Sequence, residues 1–471
     1  MRFIGRASDL ATLDKDLARL RKQGDGAFLA VRGRRRVGKS RLLEHWIATR
    51  KLRHVFFSAP ASTTQTDLEL FRDAVAGSTL PVASTAAGLT FNSWQSALTL
   101  ASQGATKASP LAIVIDEFPY LIERQEGHDV ESGVQHAWDR ALERLPVVLV
   151  LVGSDIGMMK ALAEHGRALF NRPTREMLID PLSPAEIGDL LRLAPADTID
   201  AYLMVGGFPG IVRTWPSGAD PWRFLSEALS EPDSSLIVNA ERILSAEFPT
   251  DVQARQMLKA IGSGETTYTN IMSTSGLSKG SMDRSLPVLV GQKRVVAAPV
   301  PLSTKPSSER RYFIADPYLR FWLRFIEPAQ EEVERGRGTL VRQQIRTAWP
   351  TYRGRAVEPL VRAAITRLLP DPRFGDARHV GGYWTRTNVP EVDLVGIPDM
   401  KKPRRVSFVG SVKWRDGSAF DTGDLRQLTG LVPQVPGTDA RTLLVAAARG
   451  AVTAMGVDVT LGPQDLIDAW R

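Results

Sequence analysis

The sequence predicts an α/β protein: a parallel β-sheet with helices on both faces, a helical region, a three-helix unit with a β-hairpin, and a second, basic α/β module. Three observations predict it. Short β-rich runs alternate with amphipathic stretches between residues 27 and 154, the pattern of strands joined by helical crossovers. Such runs stop after about residue 181 and return towards the C-terminus. The last part, residues 346–471, carries 18 Lys and Arg against 13 Asp and Glu.

In order, "AFLAVRG" (27–33) predicts a strand, followed by a helix from about Lys39; "HVFFSA" (54–59) and "LAIVIDE" (111–117) predict further strands. A helix near 130–143 leads to "VVLVLVGS" (147–154). "SPAEIGDLLRL" (183–193) opens the helical region, with Ser183 as N-cap and Glu186 completing a capping box. From about 252 to 315, "VQARQMLKAI", "YTNIMSTS" and "SKGSMDRSLPVLV" read as helices, and "RVVAAPVPLSTKPSSERRYFI" as two strands around a polar loop. That order is the winged-helix layout. "EPAQEEVERGRG" (327–338) is charge-dense and reads as a connector. Strands of the last module fall near 391–397, 405–414 and 442–448. The boundaries expected are 1–180, 181–245, 246–325, 326–345 and 346–471.

With 471 residues the chain exceeds one hydrophobic core, at about 100–200 residues per domain. No apolar run approaches the roughly 18 residues that a membrane span needs, so no membrane partner is expected. The N-terminus lacks the apolar stretch of a secretory signal and the chain has no cysteine, which points to the cytoplasm and excludes thiolate chemistry. A net charge of +8 admits DNA as a partner without demanding it.

"GRRRVGKS" (33–40) is a glycine, four residues, then Gly-Lys-Ser. In a phosphate loop, backbone N–H groups and the next helix's N-terminus surround the phosphates, the lysine reaches the β and γ oxygens, and the hydroxyl ligates magnesium. Gly33, Gly38, Lys39 and Ser40 match those roles, with Val37 and Arg41 beside them; Arg34, Arg35 and Arg36 can point outward because the loop uses its backbone. "LAIVIDEFPYL" puts Asp116 and Glu117 at the end of an apolar strand, as metal coordination and water activation require; otherwise they form a strand-end turn. Ser154 and Asp155 end the strand "VVLVLVGS", and each either orients water or caps a helix.

Together these residues resemble AAA-type and STAND-related P-loop ATPases, specifically the prokaryotic "archaeal ATPase" branch with a C-terminal nuclease-like domain. The resemblance covers nearly the whole chain. It begins at "FIGRASDLATL" (3–13), where Gly5 and Arg6 match a motif whose backbone lies near the adenine, and continues through "GRRRVGKS", "IDEFPYL" and "LVGSDIGMM". It implies ATP and Mg2+ as cofactors. "LFNRPTRE" (169–176) resembles the segment bearing the family's arginines, so Arg172 and Arg175 are candidates for the γ-phosphate, in cis or from a neighbouring subunit, or else a basic turn. "GGFPGIV" (206–212) resembles a glycine-proline motif of a helical lid, with Gly207 and Pro209 near the nucleotide; alternatively they break a helix. "IADPYLRFWLRFI" (314–326) resembles the family's segment after the winged helix, its aromatics spaced as a buried helix face.

Second helices of helix-turn-helix units enter the major groove. Ser278, Lys279, Ser281 and Arg284 are therefore candidate DNA contacts, with Arg310 and Arg311 in the wing; the unit serves equally as a packing module. The C-terminal module resembles the PD-(D/E)XK nuclease fold. Glu358 matches its first-helix acidic position, Asp393 its metal-binding aspartate and Lys413 its lysine. Where that pattern has an acid two residues before the lysine, this chain has Ser411, which costs an anionic magnesium ligand. Glu391, on the same strand face as Asp393, compensates in part. A weak or inactive nuclease is expected.

The leading expectation is an ATP-dependent switch or motor acting on nucleic acid or on a protein partner, including a homo-oligomer. The alternatives are a DNA-binding or DNA-cleaving protein regulated by nucleotide, and a scaffold that binds ATP structurally.

Overall fold

The computed structural model describes residues 3, 5–60, 62–123, 127–162, 164–248 and 250–471. Contacts group the chain into two compact units, 1–181 and 182–471.

The first unit is built on β1 (Ala27–Arg32), β2 (Arg53–Ser58), β3 (Leu111–Asp116), β4 (Val147–Gly153) and β5 (Arg175–Leu178). These lie in the order β2-β3-β4-β1-β5, and every pairing is parallel. Every residue of β3 and β4 is buried, as in a sheet covered on both faces, where alternation gives way to continuous apolar runs. One layer of that cover is aromatic: Phe57, Phe71 and Trp94 pack with ring centroids 5.2–6.0 Å apart. Because β1 adjoins β4 and β4 adjoins β3, the segments leaving the carboxyl ends of these strands share one edge, where open parallel sheets bind ligands.

Sequence reasoning did not foresee β5. Its four residues, "REML", include two charged ones and only Met177 is buried. So short an edge strand has no apolar period to read, and its place is fixed by pairing with β1, from Leu29–Arg175 to Arg32–Leu178.

In the second unit, Ser183 and Glu186 close the capping box of the helix Pro184–Leu191. The helices Val252–Gly262, Tyr268–Ser275 and Lys279–Pro287 precede β6 (Val296–Ala297) and β7 (Phe313–Ile314), which pair antiparallel. The segment between β6 and β7 is no free loop. Its Leu302 donates a backbone hydrogen bond to the Gly382 carbonyl, and its side chain belongs to the core of the C-terminal sheet.

That sheet comprises β8 (His379–Trp384), β9 (Glu391–Ile397), β10 (Phe408–Lys413), β11 (Leu443–Ala448) and β12 (Val459–Leu461), in the order β12-β11-β10-β9-β8. β8, β9 and β10 are antiparallel; β10, β11 and β12 are parallel. The connector expected over 326–345 is different in the structure. A helix, Gly338–Leu368, starts inside it and runs unbroken across 345/346 to pack on β8 and β10. Two interior prolines, Pro350 and Pro359, disguise its length, since proline removes a helical N–H donor and reads as a break.

Candidate nucleotide site

β1 ends at Arg32 and the chain turns through 33–38 into the helix Lys39–Arg50. Gly33 is required by close approach, because a Cβ there would lie 2.3 Å from the Ile179 carbonyl oxygen. Gly38 caps the helix at φ 94, in the left-handed region that favours glycine. The first N–H groups of this helix have no intrahelical acceptor and point into the turn, as an anion site needs.

Lys39 is buried, and its Nζ donates to the carbonyls of Gly33 (2.8 Å) and Arg34 (3.0 Å). Arg6, itself buried at φ 65, donates from Nη2 to the Val37 carbonyl at 2.7 Å. This loop is therefore held from outside by the N-terminal segment. Of the motif containing Gly5 and Arg6, Ile4 lies outside the described residues. Arg41 is exposed and paired with Glu44 at 3.1 Å, so its side chain faces away from the loop and only its backbone is near. Arg35 donates to the Tyr120 hydroxyl at 2.5 Å; Tyr120, three residues past Glu117, went unremarked in the sequence.

Across the strand ends, Ser40 Oγ donates to Asp116 Oδ2 at 2.5 Å, and Ser154 Oγ donates to Glu117 Oε2 at 2.8 Å. Glu117 sits at φ 53 and its N–H donates to Asp116 Oδ1 at 2.9 Å, a local turn that sends the adjacent carboxylates in different directions. Burial holds the Asp116 carboxyl above the usual range; the Ser40 hydrogen bond opposes this and the charge of Glu117 adds to it. A hydroxyl and a carboxylate oxygen side by side are hard oxygen ligands of the type that magnesium takes, so Ser40 and Asp116 fit that ion. Asp155 takes the other role proposed for it: its side chain accepts from Met158 N and caps the helix Ile156–Ala161.

Arg172 and Arg175 are not brought to this loop within the unit. Arg175 pairs in register with Leu29, three residues before β1 ends, and its side chain is ion-paired with buried Asp16. Arg172 pairs with Asp139 at 3.2 Å, near the end of the helix that precedes β4. Both lie towards the amino ends of the strands, so the expectation of a contact in cis is corrected. In the second unit, Gly207 has φ 79 and a Cβ there would meet the Leu182 carbonyl at 2.1 Å, while Pro209 begins the helix Pro209–Val212. Local packing alone accounts for both.

In the C-terminal module, Asp393 Oδ2 accepts from Ser411 Oγ (3.0 Å) and Val412 N (2.7 Å). Glu358 accepts from Arg362 at 2.8 Å, and Glu391 is ion-paired with Arg311. Burial pushes the Glu358 carboxyl up to about 7; Arg362 opposes this and Asp393 adds to it. Lys413 donates to Gln427 at 3.2 Å and lies 3.7 Å from Asp424. No group of three or more His, Cys, Asp or Glu able to hold a metal occurs among the described residues. With Glu358 bonded to Arg362, Glu391 to Arg311, and Asp393 Oδ2 to Ser411 and Val412 N, these residues do not fit the magnesium ion of a PD-(D/E)XK site. On the helix Lys279–Pro287, Lys279 and Arg284 are exposed, as is the N-cap Ser278, whereas Ser281 is buried and is not presented as a contact. Arg310 donates to the Ala298 carbonyl at 3.1 Å. No helix of the described residues is long and apolar enough to cross a membrane.

A glycine-bounded turn between a parallel strand and a helix, with Lys39, Ser40 and Asp116 around it, defines a P-loop nucleotide-binding domain. Residues 3–213 match the family model described as an ATPase domain predominantly from Archaea, so this part of the chain carries a P-loop ATPase domain. Residues 322–425 match a family of archaeal and bacterial proteins of unknown function. An uncharacterized protein of Methanocaldococcus jannaschii, MJECL04, is 23% identical over 418 residues, 88% of each chain. Among solved structures, the Walker-type ATPase PABY2304 of Pyrococcus abyssi is similar at 17% identity and a TM-score of 0.48, over 68% of this chain and 96% of that one. The ORC2 protein of Aeropyrum pernix, in ADPNP–ADP complexes, is similar at 13% identity and a TM-score of 0.44, over 70% and 94%.

Proposed function

We propose that the chain binds and hydrolyses Mg-ATP and uses the nucleotide state to switch its second unit between conformations that engage a nucleic-acid or protein partner. The observation that carries this reading is the pairing of Ser40 with Asp116 beside a Glu117 held by Ser154. Lys39 and the N–H groups of the turn bind the phosphates. Ser40 and Asp116 would hold the magnesium, which would supply charge neutralisation at the phosphates. Glu117 orients the attacking water and accepts its proton. Arg172 and Arg175 can reach the γ-phosphate only from a neighbouring subunit. The three helices with β6 and β7 are a winged-helix unit, and the last module is nuclease-like.

DNA is favoured as the partner by the exposed Lys279 and Arg284 of the helix Lys279–Pro287. Steady-state ATP hydrolysis with and without double- and single-stranded DNA, with Lys39→Ala as the blank, tests the proposal. Lys39-dependent turnover stimulated by DNA supports both parts, and turnover indifferent to DNA turns the search to a protein partner. Absence of turnover that depends on Lys39 refutes the catalytic reading and leaves a scaffold that binds ATP structurally.

A further inference from the structure

The acidic set of the C-terminal module is met by guanidinium groups from two separate elements. Arg362, one helical turn after Glu358 on the helix Gly338–Leu368, donates from Nη2 to Glu358 Oε2 at 2.8 Å. Its Nε donates to the Asp393 main-chain carbonyl at 2.9 Å, so a single side chain ties the helix to β9. Gly382 on β8 leaves the guanidinium its room, since a Cβ there would lie 2.9 Å from Nη2. Arg311, from the segment before β7, is ion-paired with Glu391, donates to Asn388 Oδ1 at 2.7 Å and lies 4.7 Å from the centroid of the Trp384 ring. That segment is anchored at two points before Arg311: Trp384 Nε1 donates to the Glu309 carbonyl, and Thr304 N to the Pro436 carbonyl. Asp393, the remaining acid, has its Oδ2 taken by Ser411 and Val412 N.

We propose that Arg362 and Arg311 are the resident cations of this module, taking over the charge neutralisation that a divalent metal performs among carboxylates. A guanidinium is planar, permanently charged and bonds carboxylates in fixed directions, and it differs from a metal in activating no water. The module then binds and couples without cleaving: its acids are structural, and the joint they form locks the segment 298–312 to β8 and β9. This goes beyond the ATPase reading and does not depend on it.

The test is a Mn2+ titration of the nucleotide-free full chain, followed by electron paramagnetic resonance, with Asp393→Asn as the subtraction. Incubation of supercoiled plasmid with Mg2+ accompanies it. The expected results are no Mn2+ site and no nicking that Asp393→Asn removes. A Mn2+ site or a nicking activity, in either case one that Asp393→Asn removes, would overturn the proposal. Arg362→Gln is expected to lower the melting temperature and to regain it on adding Mn2+, because Glu358 then lacks its cation. Arg362→Gln that melts like the wild type, or whose loss Mn2+ does not restore, also overturns it. ATP turnover measured on the same samples reports the first unit separately, so failure of the ATPase reading is not confused with failure of this one.

Discussion

The hydroxyl of Ser154 donates to Oε2 of Glu117 at 2.8 Å, tying the end of β4 to the end of β3. Glu117 is thus positioned by its neighbour strand as well as by its own left-handed turn. Glu117→Gln is expected to lower kcat by about 10²–10⁴-fold, the range of general base catalysis, with nucleotide affinity nearly unchanged. Ser154→Ala removes only the positioning, and kcat should fall about ten- to a hundredfold. Equal turnover in Ser154→Ala and wild type would show that this hydrogen bond plays no part in the reaction.

Lys39 spans the loop through the carbonyls of Gly33 and Arg34. Its charge lies in the loop, and charge-assisted hydrogen bonds contribute about 1.5–3 kcal/mol. Lys39→Ala should therefore weaken binding of a fluorescent ATP analogue by about ten- to a hundredfold. An unchanged dissociation constant would remove the lysine from the site.

Gly33 has no room for a side chain, because the atom it would strike is the backbone oxygen of Ile179. Gly33→Ala must push β1 and the residue after β5 apart, at a cost of about 1–3 kcal/mol for overpacking. A lowered melting temperature together with weakened nucleotide binding is expected in thermal melts with and without ATP. A melt indistinguishable from wild type would place the Ile179 carbonyl elsewhere.

Arg175 neutralises Asp16, which is 5% exposed. Arg175→Ala strands that carboxylate, and losing one partner of a buried pair costs about 3–5 kcal/mol at most, less here because Arg175 is partly exposed. Stability should fall while kcat per folded molecule stays within about twofold, since a charge this far from the phosphates contributes little through screened solvent. A collapse of kcat in a well-folded Arg175→Ala chain would instead support delivery of this arginine by a second subunit.

Asp200 accepts from Arg353 (3.1 Å) and Arg449 (2.9 Å), yet burial pushes its carboxyl from the ordinary 3.8 up to about 6. The folded state therefore holds this proton more tightly than the unfolded chain does. The resulting stability is complete below about pH 4 and is lost as pH rises through about 6. At 1.36 kcal/mol per unit, the loss is about 3 kcal/mol. Asp200→Asn cannot titrate, so denaturant melts should show the wild type losing ground to it between pH 4 and 7 and no further change above. A difference independent of pH would mean that the two guanidinium groups keep Asp200 ionised throughout.

The parts legible in the sequence are those whose chemistry is local. Gly33, Gly38, Lys39, Ser40 and Asp116 lie in short motifs, and the all-apolar β3 and β4 advertise burial. The capping box at Ser183 could be read because its two halves are three residues apart. What stayed hidden depends on partners far along the chain. Asp16 and Arg175 are separated by 159 residues, and nothing near either announces the pair, so the resemblance of "LFNRPTRE" leaves Arg175 as a candidate phosphate contact or a basic turn. Arg362 is only four residues from Glu358, a spacing that a helix makes adjacent. Its role shows only when the strand β9 brings Asp393, 31 residues on, against the same guanidinium. The helix Gly338–Leu368 is hidden by its charge-dense start, which reads as a connector, and by two prolines.

Leu302 sits in a segment that follows β6, yet it fills the core of the sheet that begins some eighty residues later. The three-helix unit and the final module therefore cannot be inherited as separate cassettes. A recombination joint placed between β7 and β8 would deliver a sheet with a hole in it and a hairpin with nothing to cover its leucine. Exchange between relatives is workable only if the stretch from β6 to β12 travels whole.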